Sequence, residues 1–256
     1  MGIVNVTPDS ISGDGLHHRV DAAFDQAMRM MGAGAALLDI GAESTRPGAQ
    51  PVGVQEELDR LLPLLEKLVA AGVPISVDTM KAPVMAESIR LGAGMINDVT
   101  ALADPAAAAV LAPHDNVAVC LMHMQGEPRS MQNAPVYTDV VVEVRDFLQG
   151  AAAAAMAAGI ERNRLILDPG FGFGKTFAHN QQLFYALPAL VALGMPVLVG
   201  VSRKTMIGHV IDKPVTERVA GSVAAALLAA QYGAAILRVH DVPETVDALK
   251  ILQALG

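Results

Sequence analysis

The sequence predicts a closed, parallel (β/α)8 barrel, a TIM-barrel domain spanning residues 1–256. Three observations carry that prediction. Short, β-rich apolar runs recur eight times along the 256 residues. Segments of helical pattern lie between them. The runs are near-continuous in apolar residues, not alternating. Such runs belong to parallel strands covered on both faces, and eight βα units close into a barrel of this length. An open doubly wound sheet is the other arrangement such units can take.

The predicted strands are 2–6, 36–40, 74–78, 95–99, 116–123, 164–168, 196–201 and 235–240. The predicted helices are 20–31, 54–71, 83–91, 105–111, 139–158, 180–193, 216–231 and 243–255. The clearest is 54–71, where Leu58, Leu61, Leu62, Leu65 and Leu68 recur at helical spacing with acids and bases opposite. The alanine-rich stretch 151–158 lies on a predicted helix and reads as close packing.

Composition narrows the function. Hydrophobic residues make up 52% and charged residues 17%, the reverse of a disordered chain. Aromatics are only 4% and tryptophan is absent, so the core is aliphatic. The net charge of −8 excludes a broad nucleic-acid footprint but leaves room for a small anion site. The lone Cys120 sits in an apolar run and reads as a core residue; with no internal disulfide to form, a reducing, cytoplasmic setting is expected. Residues 176–202 lack charge, but Pro188, Gly194, Pro196 and Gly200 interrupt them, so no membrane span is predicted.

Each apolar run ends in polar residues. In order these are Asn5; Asp39 with Glu43; Asp78; Asn97 and Asp98; His123; Asp168; Ser202, Arg203 and Lys204; and Arg238, His240 and Asp241. In a barrel all eight ends meet on one face, where active sites are built. Asp78, Asn97 and Asp168 suit a ligand rich in N–H donors, such as a fused heterocycle with an exocyclic amine. Arg46, Arg203, Lys204 and Arg238 suit a group bearing anionic oxygens. The cluster 169–176 ends like a phosphate-binding loop, but Pro169 occupies the first required glycine position. It reads as a βα loop that lets Phe173 or Lys175 approach a ligand. No zinc spacing accompanies His123 or His240, and a magnesium ion shared with substrate phosphates fits better.

These residues also carry a family likeness. The segments GIVNVTPDS (2–10), GAESTRPGA (41–49), ISVDT (75–79), INDV (96–99), CLMHMQG (120–126), LILDPGFGFGK (165–175), LVGVSRKTMIG (198–208) and LRVHDV (237–242) run in order through the chain. The chain resembles the dihydropteroate synthase family of pterin-binding barrels. The resemblance implies that 4-aminobenzoate attacks the methylene of 6-hydroxymethyl-7,8-dihydropterin diphosphate, releasing diphosphate. It implies that Asp78, Asn97, Met122, Asp168, Gly200 and Lys204 hold the pterin. It implies that Thr45, Arg46, Pro47, Phe173 and Thr205 border the aminobenzoate. Asn5, Thr45, Arg238 and His240 would hold the diphosphate, with Asn5 near Mg²⁺. Lys204, Arg238 and His240 are the expected catalytic groups; no general base stands out. Sulfonamides as inhibitors and a homodimer are implied in the same way; the alanine-rich composition of 223–231 makes that stretch the candidate contact.

On this reading Asp78→Asn weakens pterin binding, whereas Arg238→Ala chiefly harms the diphosphate substrate and leaves free pterin binding little changed. The first loop departs from the family pattern: Ile11 stands where phenylalanine is usual, and Asp14 is displaced by one. Loss of a flat apolar wall predicts altered aminobenzoate or sulfonamide affinity. Two other readings keep a pterin pocket: a methyltransferase module passing a methyl group to a corrinoid protein, and a non-catalytic pterin binder.

Overall fold

Branched aliphatic side chains extend at little cost and pack well on a pleated surface, and every predicted run overlaps a strand. The computed structural model describes residues 1–6, 16–44, 50–126 and 131–255. Among them the strands are β1 (Gly2–Asn5), β2 (Leu38–Gly41), β3 (Ile75–Asp78), β4 (Met95–Asp98), β5 (Ala118–Met122), β6 (Leu165–Asp168), β7 (Leu198–Val199) and β8 (Ile236–Leu237). β1 to β6 form one continuous parallel ladder, and β7 pairs with β8 in a second. Two bridges close the ring: Leu167 pairs with Val197, and Gly2 with Val239. Their hydrogen bonds are direct; Leu167 N–H donates to Pro196 O at 2.9 Å and Ile3 N–H to Val239 O at 3.0 Å.

The helices are α1 (Leu16–Gly32), α2 (Val54–Ala70), α3 (Ala82–Leu91), α4 (Pro105–Leu111), α5 (Val140–Ala157), α6 (Phe177–Tyr185), α7 (Leu187–Val191), α8 (Thr205–Ile211), α9 (Val219–Gln231) and α10 (Val242–Leu255). The predicted helix 180–193 is two helices, because Pro188 has no N–H to donate and its ring clashes with a preceding carbonyl. The predicted 216–231 begins as a 3-10 turn, Val215–Glu217, before α9. α8 matches no predicted helix, because seven residues are too few to show a helical period. Asp104 and Asp139 cap α4 and α5 by accepting from N–H groups of the first turn, which marks those starts in the sequence.

Two cores follow from the alternation of strand side chains. Outward residues such as Val4, Ile40, Val77 and Leu121 pack against the helices in one large cluster. From α2 it receives Leu61, Leu64, Leu65 and Leu68, each worth roughly 1.5–3 kcal/mol when fully buried. Inward residues Met95, Cys120, Ile166 and Leu198 form a separate plug low in the barrel. Cys120 is therefore a core residue, as expected, and burial pushes its thiol well above the ordinary value.

Candidate active site

Strand register places the polar residues of the upper barrel. Asp78 on β3 lies beside Asn97 on β4, and Met122 on β5 beside Asp168 on β6. Asp39 sits one layer deeper than expected and is fully buried; it is an internal acceptor, not a residue of the rim. Ser76 Oγ donates to its Oδ1 at 2.6 Å, and Asn97 Nδ2 to its Oδ2 at 3.3 Å. Arg238 donates from Nε to the same Asp39 oxygen at 2.6 Å and from Nη2 to Asp78 Oδ2 at 2.9 Å. Asn97 Oδ1 faces no such donor: among the described residues it is a buried acceptor without a partner. A buried acceptor left unmade costs about 1–3 kcal/mol, so a ligand N–H is the natural complement.

The carboxylates share this demand. Burial raises the Asp78 carboxyl to about 7, against the pull of Arg238. Burial also raises Asp168, against Lys204 and a hydrogen bond donated by Gly170 N–H at 2.7 Å. Lys204 is lowered by burial to about 8, while Asp168 favours its charged form. Its Nζ donates to the Phe171 carbonyl and stands 4.7 Å from the centre of the Phe173 ring. Gly200 has no positive φ, and a Cβ there would approach Arg238 only at 3.7 Å, an ordinary contact. Neither backbone nor protein packing requires that glycine, which leaves room beside it for a ligand.

Several expectations change. Lys175 does not reach toward a ligand. It is buried, with Nζ 2.8 Å from His123 Nδ1 and donating to the Gly170 and Phe173 carbonyls at 2.9 and 3.0 Å. Burial lowers Lys175 to about 7 and His123 to about 3, and His123 packs edge-on against Phe147 of α5. Arg203 is not a free cation, since Asp241 takes its guanidinium. Asp98 accepts from Thr100 and Leu102 N–H groups and caps its own turn. Glu43 accepts from Val52 N–H and pairs with Lys81, which also donates to the buried Glu57 at 2.5 Å. Arg238 is not a free cation at the rim either, since Asp39 and Asp78 both take its guanidinium.

Asn5 ends β1 and is half-buried, Met122 is buried, and Thr205 begins α8. His240 N–H donates to Ser202 Oγ at 3.1 Å. Thr45, Arg46, Pro47, Ile11 and Asp14 lie outside the described residues. Sequence reasoning missed Ser76 and the charge-holding role of Asp39. Period-two alternation along β2 and β3 is the signal that turns both inward with Asp78.

A family model described as "Pterin binding enzyme" matches residues 1–240. The dihydropteroate synthase of Escherichia coli K12 is 48% identical over 255 residues, covering 99% of this chain and 90% of that one. The Xanthomonas albilineans dihydropteroate synthase solved with 4-aminobenzoic acid superposes with a TM-score of 0.93 at 55% identity, covering 99% of this chain and 91% of that one. The Yersinia pestis dihydropteroate synthase solved with a sulfonamide drug gives 0.93 at 51% identity, covering 99% and 92%. With the buried acceptors and the closed barrel that holds them, these matches show that the chain belongs to the dihydropteroate synthase family of pterin-binding enzymes.

Proposed function

We propose that the chain, as a single barrel domain, condenses 6-hydroxymethyl-7,8-dihydropterin diphosphate with 4-aminobenzoate to give 7,8-dihydropteroate and diphosphate. The observation that carries the reading is the buried acceptor set: Asn97 Oδ1 without a partner, beside Asp78 and near Asp168. The donor-rich edge of a pterin satisfies those atoms. Met122 and the open side of Gly200 line the ring's slot, and Lys204 donates to the ring. The amine nitrogen bonds to the methylene carbon, the carbon–oxygen bond to diphosphate breaks, and the amine gives up a proton. Diphosphate leaves readily once its charge is matched. Arg238, His240, Asn5 and Thr45 are assigned to that end, and Thr45, Arg46, Pro47, Phe173 and Thr205 to the aminobenzoate. The ring held on Asp78, Asn97 and Asp168 needs only a correctly placed amine.

Among the described residues no group of three His, Cys, Asp or Glu side chains could hold a metal alone. Magnesium asks for less: it keeps waters and binds largely through substrate phosphates. The amide oxygen of Asn5, a hard ligand at the barrel mouth, fits that role. When bound, the ion would neutralise charge developing on the leaving diphosphate. Sulfonamides are proposed as inhibitors at the aminobenzoate position. The single cysteine fits a cytoplasmic enzyme. A homodimer is proposed through the late helices, where Leu228 and Ile251 expose apolar side chains; a solution mass settles it.

The test mixes purified protein with Mg²⁺, the pterin diphosphate and labelled 4-aminobenzoate. Labelled dihydropteroate is the expected product. Tight pterin binding without product would replace the synthase with a non-catalytic pterin binder.

A further inference from the structure

The β7–β8 ladder is two residues long, pairing Leu198 with Ile236 and Val199 with Leu237. Lys204 and His240 lie beyond it, where side chains take over from the ladder. Ser202 Oγ accepts from His240 N–H at 3.1 Å, and His240 Nδ1 lies 3.1 Å from the same oxygen. Arg203 donates from Nε to Asp241 Oδ2 at 3.0 Å and from Nη2 to Oδ1, a two-pronged pair that fixes direction as well as distance.

Arg203 also stands in the left-handed region, at φ 58°. A residue with a long side chain rarely adopts that conformation and keeps it only where its surroundings over-determine it. Here they do. Arg203 N–H donates to Ser222 Oγ at 2.9 Å, and its carbonyl accepts from Arg218 Nη1 at 3.1 Å. Ser222 Oγ donates in turn to Arg218 O at 2.7 Å. The Arg218 guanidinium lies over Gly208, where an added Cβ would overlap it. The backbone is thus held on both sides of one residue, and that residue immediately precedes Lys204.

We infer that Arg203 and Asp241, backed by Ser222 and Arg218, are positioning residues: they contact no substrate and fix the turn that aims Lys204 at the pocket. The inference rests on the role proposed above for Lys204. Neither the charge of Arg203 nor that of Asp241 is spent on a ligand; each serves the other. Without the pair, the turn is free to relax from its left-handed conformation, and Lys204 moves relative to Phe171 and Phe173.

The test compares Arg203→Met, Asp241→Asn, the double variant and Arg203→Lys, with Lys204→Met as control. For each, kcat, KM for both substrates and Tm are measured on the full chain. Arg203→Met and Asp241→Asn are each expected to lower kcat by roughly 10- to 100-fold, the scale of a displacement near 1 Å. The double variant should be no worse than either single one, and Arg203→Lys should recover part of the loss. Wild-type kcat in Arg203→Met, with Lys204→Met impaired, would overturn the positioning role of the Arg203–Asp241 pair and leave the reading of Lys204 standing. Wild-type kcat in Lys204→Met would overturn both. A loss that vanishes when assayed well below each variant's Tm would reduce the pair to a fold-stabilising contact and overturn the inference. If Arg203→Met does not fold, Ser222→Ala removes the acceptor of the Arg203 N–H and the hydrogen bond to the Arg218 carbonyl while leaving the Arg203–Asp241 pair in place; a smaller kcat loss is then expected, and no loss overturns the proposal.

Discussion

Burial pushes the Asp78 carboxyl up to about 7 in a site that holds one of its oxygens on Arg238. The native state therefore binds that proton more tightly than the unfolded chain, whose value is near 3.8. Stability from this group is fully present below the unfolded value and is lost as pH rises through about 7. Asn does not titrate, so wild type should gain Tm relative to Asp78→Asn as pH falls from about 8 to about 5. A Tm difference independent of pH would contradict the raised carboxyl. The same variant places an amide where ligand N–H groups need an acceptor. An unmade buried hydrogen bond at about 1–3 kcal/mol predicts pterin binding weaker by roughly 5- to 150-fold, read by calorimetry. Ile11 gives a second residue-scale expectation. Restoring the ring in Ile11→Phe should lower KM for aminobenzoate and Ki for a sulfonamide, and unchanged constants would remove the proposed effect of that loop position.

At the scale of an element, the 170–175 loop shows what a motif conveys and what it hides. Its glycines at 170, 172 and 174 all take positive φ, at 67°, 80° and 62°. A Cβ at Gly170 would overlap the His123 carbonyl oxygen, and one at Gly174 that of Gln125. Gly170→Ala should destabilise the protein by at least about 2 kcal/mol, combining a left-handed alanine with a backbone clash, as measured by urea unfolding. The need for glycine was legible in the sequence. The direction of Lys175 was not, because lysine is seldom buried and only the approach of the β5 end brings His123 to it, beside the Gly170 and Phe173 carbonyls of its own loop. Lys175→Met should cost roughly 1–3 kcal/mol through the carbonyls it leaves unmatched. Because those carbonyls flank Phe173, KM for aminobenzoate should rise more than KM for the pterin diphosphate. α8 stayed hidden for another reason: seven residues with a central glycine carry too little periodicity.

Across the whole molecule, Arg238 on the β8 side joins Asp39 on β2 and Asp78 on β3, spanning the barrel interior. Burial lowers its basicity and the two carboxylates more than restore it. Arg238→Met leaves buried carboxylates unpaired and should cost about 3–5 kcal/mol by chemical denaturation. Removing the exposed Arg90 from Glu87 should cost less than about 1 kcal/mol, and equal losses would contradict the difference in burial. Eight strands and their parallel order were legible because both faces of each strand are covered, which writes a continuous apolar run. The inward face was only partly legible, since Asp39 in the second layer looks in sequence like any polar strand end. Contacts between distant strand ends, such as Arg203 with Asp241, leave no local trace.

The ring of strands is closed unevenly. β1 to β6 share one continuous ladder, whereas β7 and β8 pair over two residues and meet their other neighbours through single bridges. Backbone amides in this quarter should therefore exchange with deuterium faster than those of β2 to β5, since short ladders open locally at lower free energy. Substrates seated against Lys204 and His240 would slow that exchange, so the quarter of the wall that breathes most is also the one where binding is most visible.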